Sequence, residues 1–199
     1  MYSFEEGVQA VRMARDVLDR HVTGEEDTEY TVPESFLKKA GAFVTLQLFP
    51  AGMLRGCIGY PYPIFPLWDT IARSAKSAAS QDHRFNPVSK KELDNIIVEV
   101  SMLSQPVRLQ GHGREILKQI VVGRDGIMVE FGSSKGLLLP QVALEWGWTS
   151  QEFLEETCMK GRLPATMWKD PRLKIFKFTA DIFHEMTPRG EIEKVEMSN

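Results

Sequence analysis

Two apolar, β-rich runs flank Pro50-Ala51-Gly52. Ala42 to Phe49 reads as one strand and Met53 to Tyr60 as a second. A proline–glycine turn between such runs predicts an antiparallel hairpin. That hairpin constrains the chain more than any other feature, because a sheet must be built around it. Pro61, Pro63 and Pro66 then break the sheet. Leu67, Ile71, Ala75 and Ala78 share one face of a helix, and the two alanines permit close packing on a sheet. Ser89 and Glu92 have the spacing of a capping box. Ile96, Val98, Val100 and Met102 alternate as the inward face of a third strand.

The remaining segments fill in around that unit. Ser3 and Glu6 mark another capping box, ahead of a helix whose apolar face carries Phe4, Val8, Val11, Leu18 and Val22. Arg12, Arg15, Asp19 and Arg20 fall mostly on the rest of that helix. Thr23 to Tyr30, with Glu25, Glu26, Asp27 and Glu29, reads as a solvated loop. Pro33 starts a short helix that ends at Gly41. After residue 105 a turn at Gly123–Gly126 precedes a strand face of Ile127, Val129 and Phe131. A second turn spans Gly132–Gly136, before a short strand at Leu137–Leu139. Helical sequence follows from Pro140 to Gly161, broken at Gly147 and restarted by Thr149 and Glu152. One strand near Leu173–Phe183 closes this half. Both halves therefore read strand, turn, strand, helices, strand. The expected fold is α+β, with antiparallel sheets and flanking helices, as one domain over residues 1–199 or as lobes near 1–105 and 106–185. The order is compatible with an ancient internal duplication. Residues 186–199 read as a charged tail, frayed from Arg189 onward.

Composition narrows the function classes. The 199 residues are 43% hydrophobic and 26% charged, ordinary values that exclude wholesale disorder and coiled coil. The net charge of −3 offers no basic surplus for phosphates, which argues against a nucleic-acid regulator. No apolar run approaches the ~20 residues of a membrane helix, and Met1–Glu6 lacks the pattern of a secretory signal. Cys57 and Cys158 are too few for a disulfide framework and are expected as reduced thiols in the cytoplasm.

The densest cluster of unusual choices is Leu54-Arg55-Gly56-Cys57-Ile58-Gly59. On a regular strand, Leu54, Gly56 and Ile58 point one way, and Arg55, Cys57 and Gly59 the other. Arg55 and Cys57 would stand roughly 7 Å apart at Cα, where the cation favours a thiolate. The glycines leave room for a ligand or another backbone segment. A thiol nucleophile needs a base, and no Cys–His dyad is recognisable among His21, His83, His112 and His184. His83 sits in Asp82-His83-Arg84-Phe85, directly after the alanine-rich helix. No CxxC, HxH or HExxH metal signature occurs. Gly132-Ser133-Ser134-Lys135-Gly136 lacks the order of a phosphate loop and reads as a hairpin turn. Trp146, Trp148 and Trp168 read as core or interface aromatics.

The hexapeptide resembles the signature of the AMMECR-type domain. Gly41-Ala42-Phe43-Val44-Thr45-Leu46, Arg84-Phe85, Val98-Glu99-Val100-Ser101, Asp125-Gly126-Ile127, Gly136-Leu137-Leu138-Leu139-Pro140-Gln141-Val142 and Trp148 with Phe153-Leu154 agree with it. The resemblance covers roughly residues 3 to 185. It implies an α+β protein of two unequal lobes with a cleft at the hexapeptide. It implies no established reaction and leaves any cofactor unknown. Prokaryotic members accompany Memo-type and radical SAM proteins, which suggests a partner or pathway. The family's loop reads Asp-Pro-Arg-Phe, and His83 replaces the proline here. Asp82 and Arg84 are therefore the loop candidates, rather than a shared histidine. Two readings follow. In one, Cys57 is catalytic, and Arg55, Gly56, Gly59, Asp82 and Arg84 bind a small anionic ligand. In the other, the segment is a non-catalytic adaptor surface that docks a partner.

Overall fold

The computed structural model describes residues 1–26 and 28–196; Asp27 of the acidic run and Met197–Asn199 of the tail lie outside them. Helix α1 (Phe4–Thr23) starts at the expected capping box. The Ser3 hydroxyl accepts from the Glu6 N–H at 3.2 Å, and the Glu6 carboxylate accepts from the Ser3 N–H at 2.7 Å. Its buried stripe runs through Ala10, Val11, Ala14, Val17 and Leu18, leaving Phe4 exposed. Arg15, expected on the polar face, is buried instead. It is ion-paired with buried Glu185 and donates to the carbonyls of Leu93 and Ile96. A buried guanidinium is tolerated only with such partners.

A short α2 (Glu34–Leu37) leads to β1 (Ala42–Leu48) and β2 (Met53–Tyr60), the expected hairpin. Thr45 stands opposite Cys57 and Leu46 opposite Gly56, but Gln47 stands opposite Leu54. Arg55 is thus the extra residue of a β-bulge. The bulge breaks the strict alternation expected from sequence, because Leu54 now faces Gln47 across the ladder instead of following Gly56. Helix α3 (Leu67–Ser80), a 3-10 turn (Lys90–Asn95) and β3 (Ile96–Leu103) follow. Ile96, Val98, Val100 and Met102 are fully buried, as their alternation predicts.

Next come β4 (Val107–Arg108), α4 (Arg114–Leu117), β5 (Gly126–Phe131), β6 (Ser134–Leu138), α5 (Pro140–Glu145), α6 (Ser150–Lys160), a 3-10 turn (Ala165–Lys169) and β7 (Lys174–Phe178). The chain ends with β8 (Ala180–Glu185) and β9 (Ile192–Lys194). Three expectations are corrected. The turn after β5 is tighter than Gly132–Gly136, because Gly132 at φ +58° lets the chain reverse early. Gly136 therefore lies inside β6. The single strand expected over Leu173–Phe183 is two strands in different sheets, divided at Thr179. Part of the tail is ordered: β9 pairs with β8, and Arg189 bonds Asp19, Asp94 and the Leu93 carbonyl.

One sheet has the order β2-β1-β3-β8-β9 and the other β4-β7-β5-β6. Residues 1–103 with 181–196 form one compact unit, and residues 104–180 form a second. Each has its own apolar core: Val44, Leu46, Ile71 and Val98 in the first, Ile127, Val129, Phe153 and Leu154 in the second. The two sheets share a local plan. In β2-β1-β3 and in β6-β5-β7, a hairpin is followed by helix and then by a strand that pairs with the hairpin's first strand.

Candidate functional site at the edge strand β2

The hexapeptide lies on β2, an edge strand. Its glycines do specific packing. A Cβ at Gly56 would stand 2.3 Å from the Ala78 carbonyl oxygen of α3, and one at Gly59 would stand 2.3 Å from the Phe43 ring. Only a missing side chain allows helix and strand to approach this closely. Of the two uses the sequence left open, Gly56 serves the close approach of another backbone segment.

Cys57 faces away from α3. The Thr45 hydroxyl donates to Sγ across the ladder at 3.3 Å. Thr45 is also opposite Glu99 of β3, so Cys57, Thr45 and Glu99 form a row over three adjacent strands. Burial pushes the Cys57 thiol above its ordinary pKa. The Thr45 hydrogen bond and the Arg84 charge oppose that rise, and the Glu99 and Asp82 carboxylates add to it. The thiol is therefore protonated at neutral pH.

The loop after α3 closes the strand edge. The Cys57 N–H donates to Asp82 Oδ2 at 2.9 Å. Asp82 also accepts from Arg84 through Nε at 2.9 Å, Nη2 at 2.7 Å and the backbone N–H at 3.2 Å. Arg84 Nη2 lies 3.5 Å from the Cys57 carbonyl. These bonds, led by those from the guanidinium, hold the Asp82 carboxyl well below the usual carboxylate range. The Asp82 side chain is 5% exposed and that of Arg84 57%. One buried carboxylate thus fixes both the thiol-bearing backbone and an outward-facing cation. Arg84 Nη1 makes no hydrogen bond among the described residues.

Arg55 is placed differently from the sequence expectation. Its Nε donates to Glu92 Oε1 at 2.7 Å, and its side chain is 11% exposed. Arg55 and Arg84 both lie over the Phe85 ring, at 5.8 and 5.5 Å from its centroid. The Arg55 bond, opposed by burial and aided by Ser89, lowers the Glu92 carboxyl to about 2. Arg84, not Arg55, is the cation that acts on the thiol. None of the histidines bonds Cys57: His21 meets Ser80, His184 meets Glu193, and His83 and His112 are exposed. Among the described residues no cluster of three or more His, Cys, Asp or Glu has metal-site geometry. No helix among them is long and apolar enough to cross a membrane.

Sequence reasoning missed Thr45, Glu99 and Glu92 as neighbours of the hexapeptide. Glu99 left a visible signal, since it is the one charged residue in the apolar run Ile96–Leu103.

The fold and this edge-strand site define an α+β protein of two small units, with a thiol, a carboxylate and a guanidinium tied together on the first. The family model described as AMMECR1 matches residues 11–183, and the chain belongs to that family. It is 45% identical over 193 residues to protein MJ0810 of Methanocaldococcus jannaschii, covering 96% of each chain. It is 47% identical over 195 residues to protein PF1979 of Pyrococcus furiosus, covering 96% of this chain and 93% of the relative. The crystal structure of uncharacterized protein PH0010 from Pyrococcus horikoshii is similar, with a TM-score of 0.89 and 44% identity, covering 96% of this chain and 97% of that one.

Proposed function

We propose that the edge of β2 binds a small anionic ligand, with Arg84 as its charge partner and Cys57 as the thiol in contact with it. One observation carries this reading. The Arg84 guanidinium is locked by buried Asp82, yet keeps an unbonded N–H edge facing solvent beside Cys57. A fixed cation loses little freedom on binding, so its anion contact is preorganised. Cys57 enters as a protonated thiol and becomes a nucleophile only when its proton moves away. The adaptor reading draws less support, because Gly56 and Gly59 are filled by the chain's own α3 and Phe43.

The test is alkylation of Cys57 by neutral iodoacetamide, followed by peptide mass spectrometry, with phosphate and dicarboxylates as protecting anions. Protection in the wild type, lost in Arg84→Gln, is the expected result. Equal alkylation with and without every anion, in both proteins, would remove the proposal.

A further inference from the structure

We propose a second binding site, for a flat aromatic acid, in the groove between α1, α3 and residues 28–32. It lies on the helix-covered side of the sheet, away from Cys57. Two cavities meet there. One of about 430 Å³ is lined by Val17, Thr28, Tyr30, Trp68, Ala72 and Arg73, among others. The other, of about 410 Å³, shares Thr28, Tyr30 and Trp68 and adds Glu29, Val32 and Leu37. Each lies within the ~300–1,000 Å³ span of small-ligand sites.

The chemistry of the walls selects the ligand. Tyr30 and Trp68 line both cavities, and two aromatic walls favour a flat ring. The Tyr30 hydroxyl is fixed by donation to Asp16 Oδ2 at 2.6 Å. The Trp68 indole N–H donates no hydrogen bond among the described residues. Arg73 supplies the acid's partner. Its Nε donates to Asp69 at 2.8 Å, and its guanidinium lies 4.4 Å from the Phe65 centroid. Both Nη groups make no hydrogen bond among the described residues. They form the edge that a carboxylate takes in two parallel bonds. Lys76 and the carboxylates of Asp69 and Glu29 also line the two cavities, so selectivity for an acid rests on the Arg73 Nη edge.

Indole-3-carboxylate and its neutral carboxamide are the probes. Binding is read from the Trp68 indole N–H in a ¹H–¹⁵N spectrum, assigned with Trp68→Phe. The acid is expected to shift the Trp68 signal saturably and leave that of exposed Trp146 unmoved. The carboxamide should bind at least about tenfold more weakly, about 1.4 kcal/mol. Arg73→Gln should lose about the same factor for the acid and none for the carboxamide. Three results would overturn the proposal: no Trp68 shift up to about 10 mM acid, well beyond millimolar affinity; equal shifts at Trp146; or equal affinity for acid and carboxamide in the wild type. The last comparison needs no variant, so it stands even where Arg73→Gln folds poorly.

Discussion

Replacing Asp82 by asparagine probes the clamp at β2 with almost no change of shape. The carboxylate accepts from four donors: the Cys57 N–H and the Arg84 N–H, Nε and Nη2. An amide keeps one accepting oxygen, so at least one of the two faces loses its acceptor. The Arg84 guanidinium is more than half exposed, so its share of the loss is that of a solvent-screened pair, at most about 1 kcal/mol. A buried-side N–H left without an acceptor costs about 1–3 kcal/mol. The expected total is about 1–4 kcal/mol. At about 2–4 °C per kcal/mol for a chain of this size, Tm should fall by about 2–16 °C.

The same substitution has a signed pH dependence. Asp82 titrates in the folded chain well below its unfolded value of about 3.9. Its stabilisation is therefore complete above pH 4 and is lost as pH falls through and below that value. Glu92, lowered to about 2, titrates in the same acid window, so the informative quantity is the gap between wild type and variant. That gap should be widest at neutral pH and shrink from about pH 4 downward. Urea unfolding at several pH values measures it, with amide exchange at Cys57 as the local probe. A variant with wild-type stability at pH 7 and unchanged Cys57 exchange would refute the reasoning.

Three further outcomes are expected. Gly56→Ala and Gly136→Ala push a methyl group against helix carbonyls 2.3 and 2.1 Å away, so each should cost about 1–3 kcal/mol in urea unfolding; Gly132→Ala, with open space at its Cβ, loses only the cost of its left-handed turn, about 1–2 kcal/mol. Glu185→Gln removes the buried charge partner of Arg15 and leaves only Asp19, at 3.7 Å; it should cost up to about 3–5 kcal/mol, while the paired change Arg15→Met with Glu185→Leu should recover most of that loss. Burial raises the Cys158 thiol to about 11, so mass spectrometry of the native protein should find Cys158 alkylated far more slowly than Cys57, with the difference vanishing in denaturant.

Much of the fold was legible because local signals are physical constraints. Three capping boxes, the proline–glycine hairpin turn and the alternation in β3 each fix geometry within a few residues. The failures came where distant partners decide. Arg15 looks like a solvent residue until Glu185, 170 positions away, is brought beside it. The break at Thr179 is invisible because both flanking segments have strand chemistry, and only sheet membership separates them. The bulge at Arg55 inverted one expectation of the site. A register shift of one residue moved the guanidinium to Glu92 and left Arg84, from a loop, as the cation that acts on the thiol.

The shared strand plan supplies an internal control that separates scaffold from chemistry. Gly56 on β2 meets the carbonyl of Ala78, and Gly136 on β6 meets the carbonyl of Thr157. Both glycines thus answer the same packing problem, a helix lying close on a hairpin. The residues that follow them differ. Cys57 comes after Gly56, but Leu137 comes after Gly136. Four residues beyond Ala78 stands Asp82, and four beyond Thr157 stands Gly161, whose backbone sits directly against Gly136. The second unit closes the contact with a bare backbone, so the fold itself does not require a thiol, a buried carboxylate or an outward guanidinium there. The second unit has a comparable buried pair, Asp125 with Arg124, but at the turn before β5 rather than at the helix–hairpin contact. The thiol, carboxylate and guanidinium come together at that contact in the first unit only, which is why we propose a function for Cys57, Asp82 and Arg84 and leave the glycine to architecture.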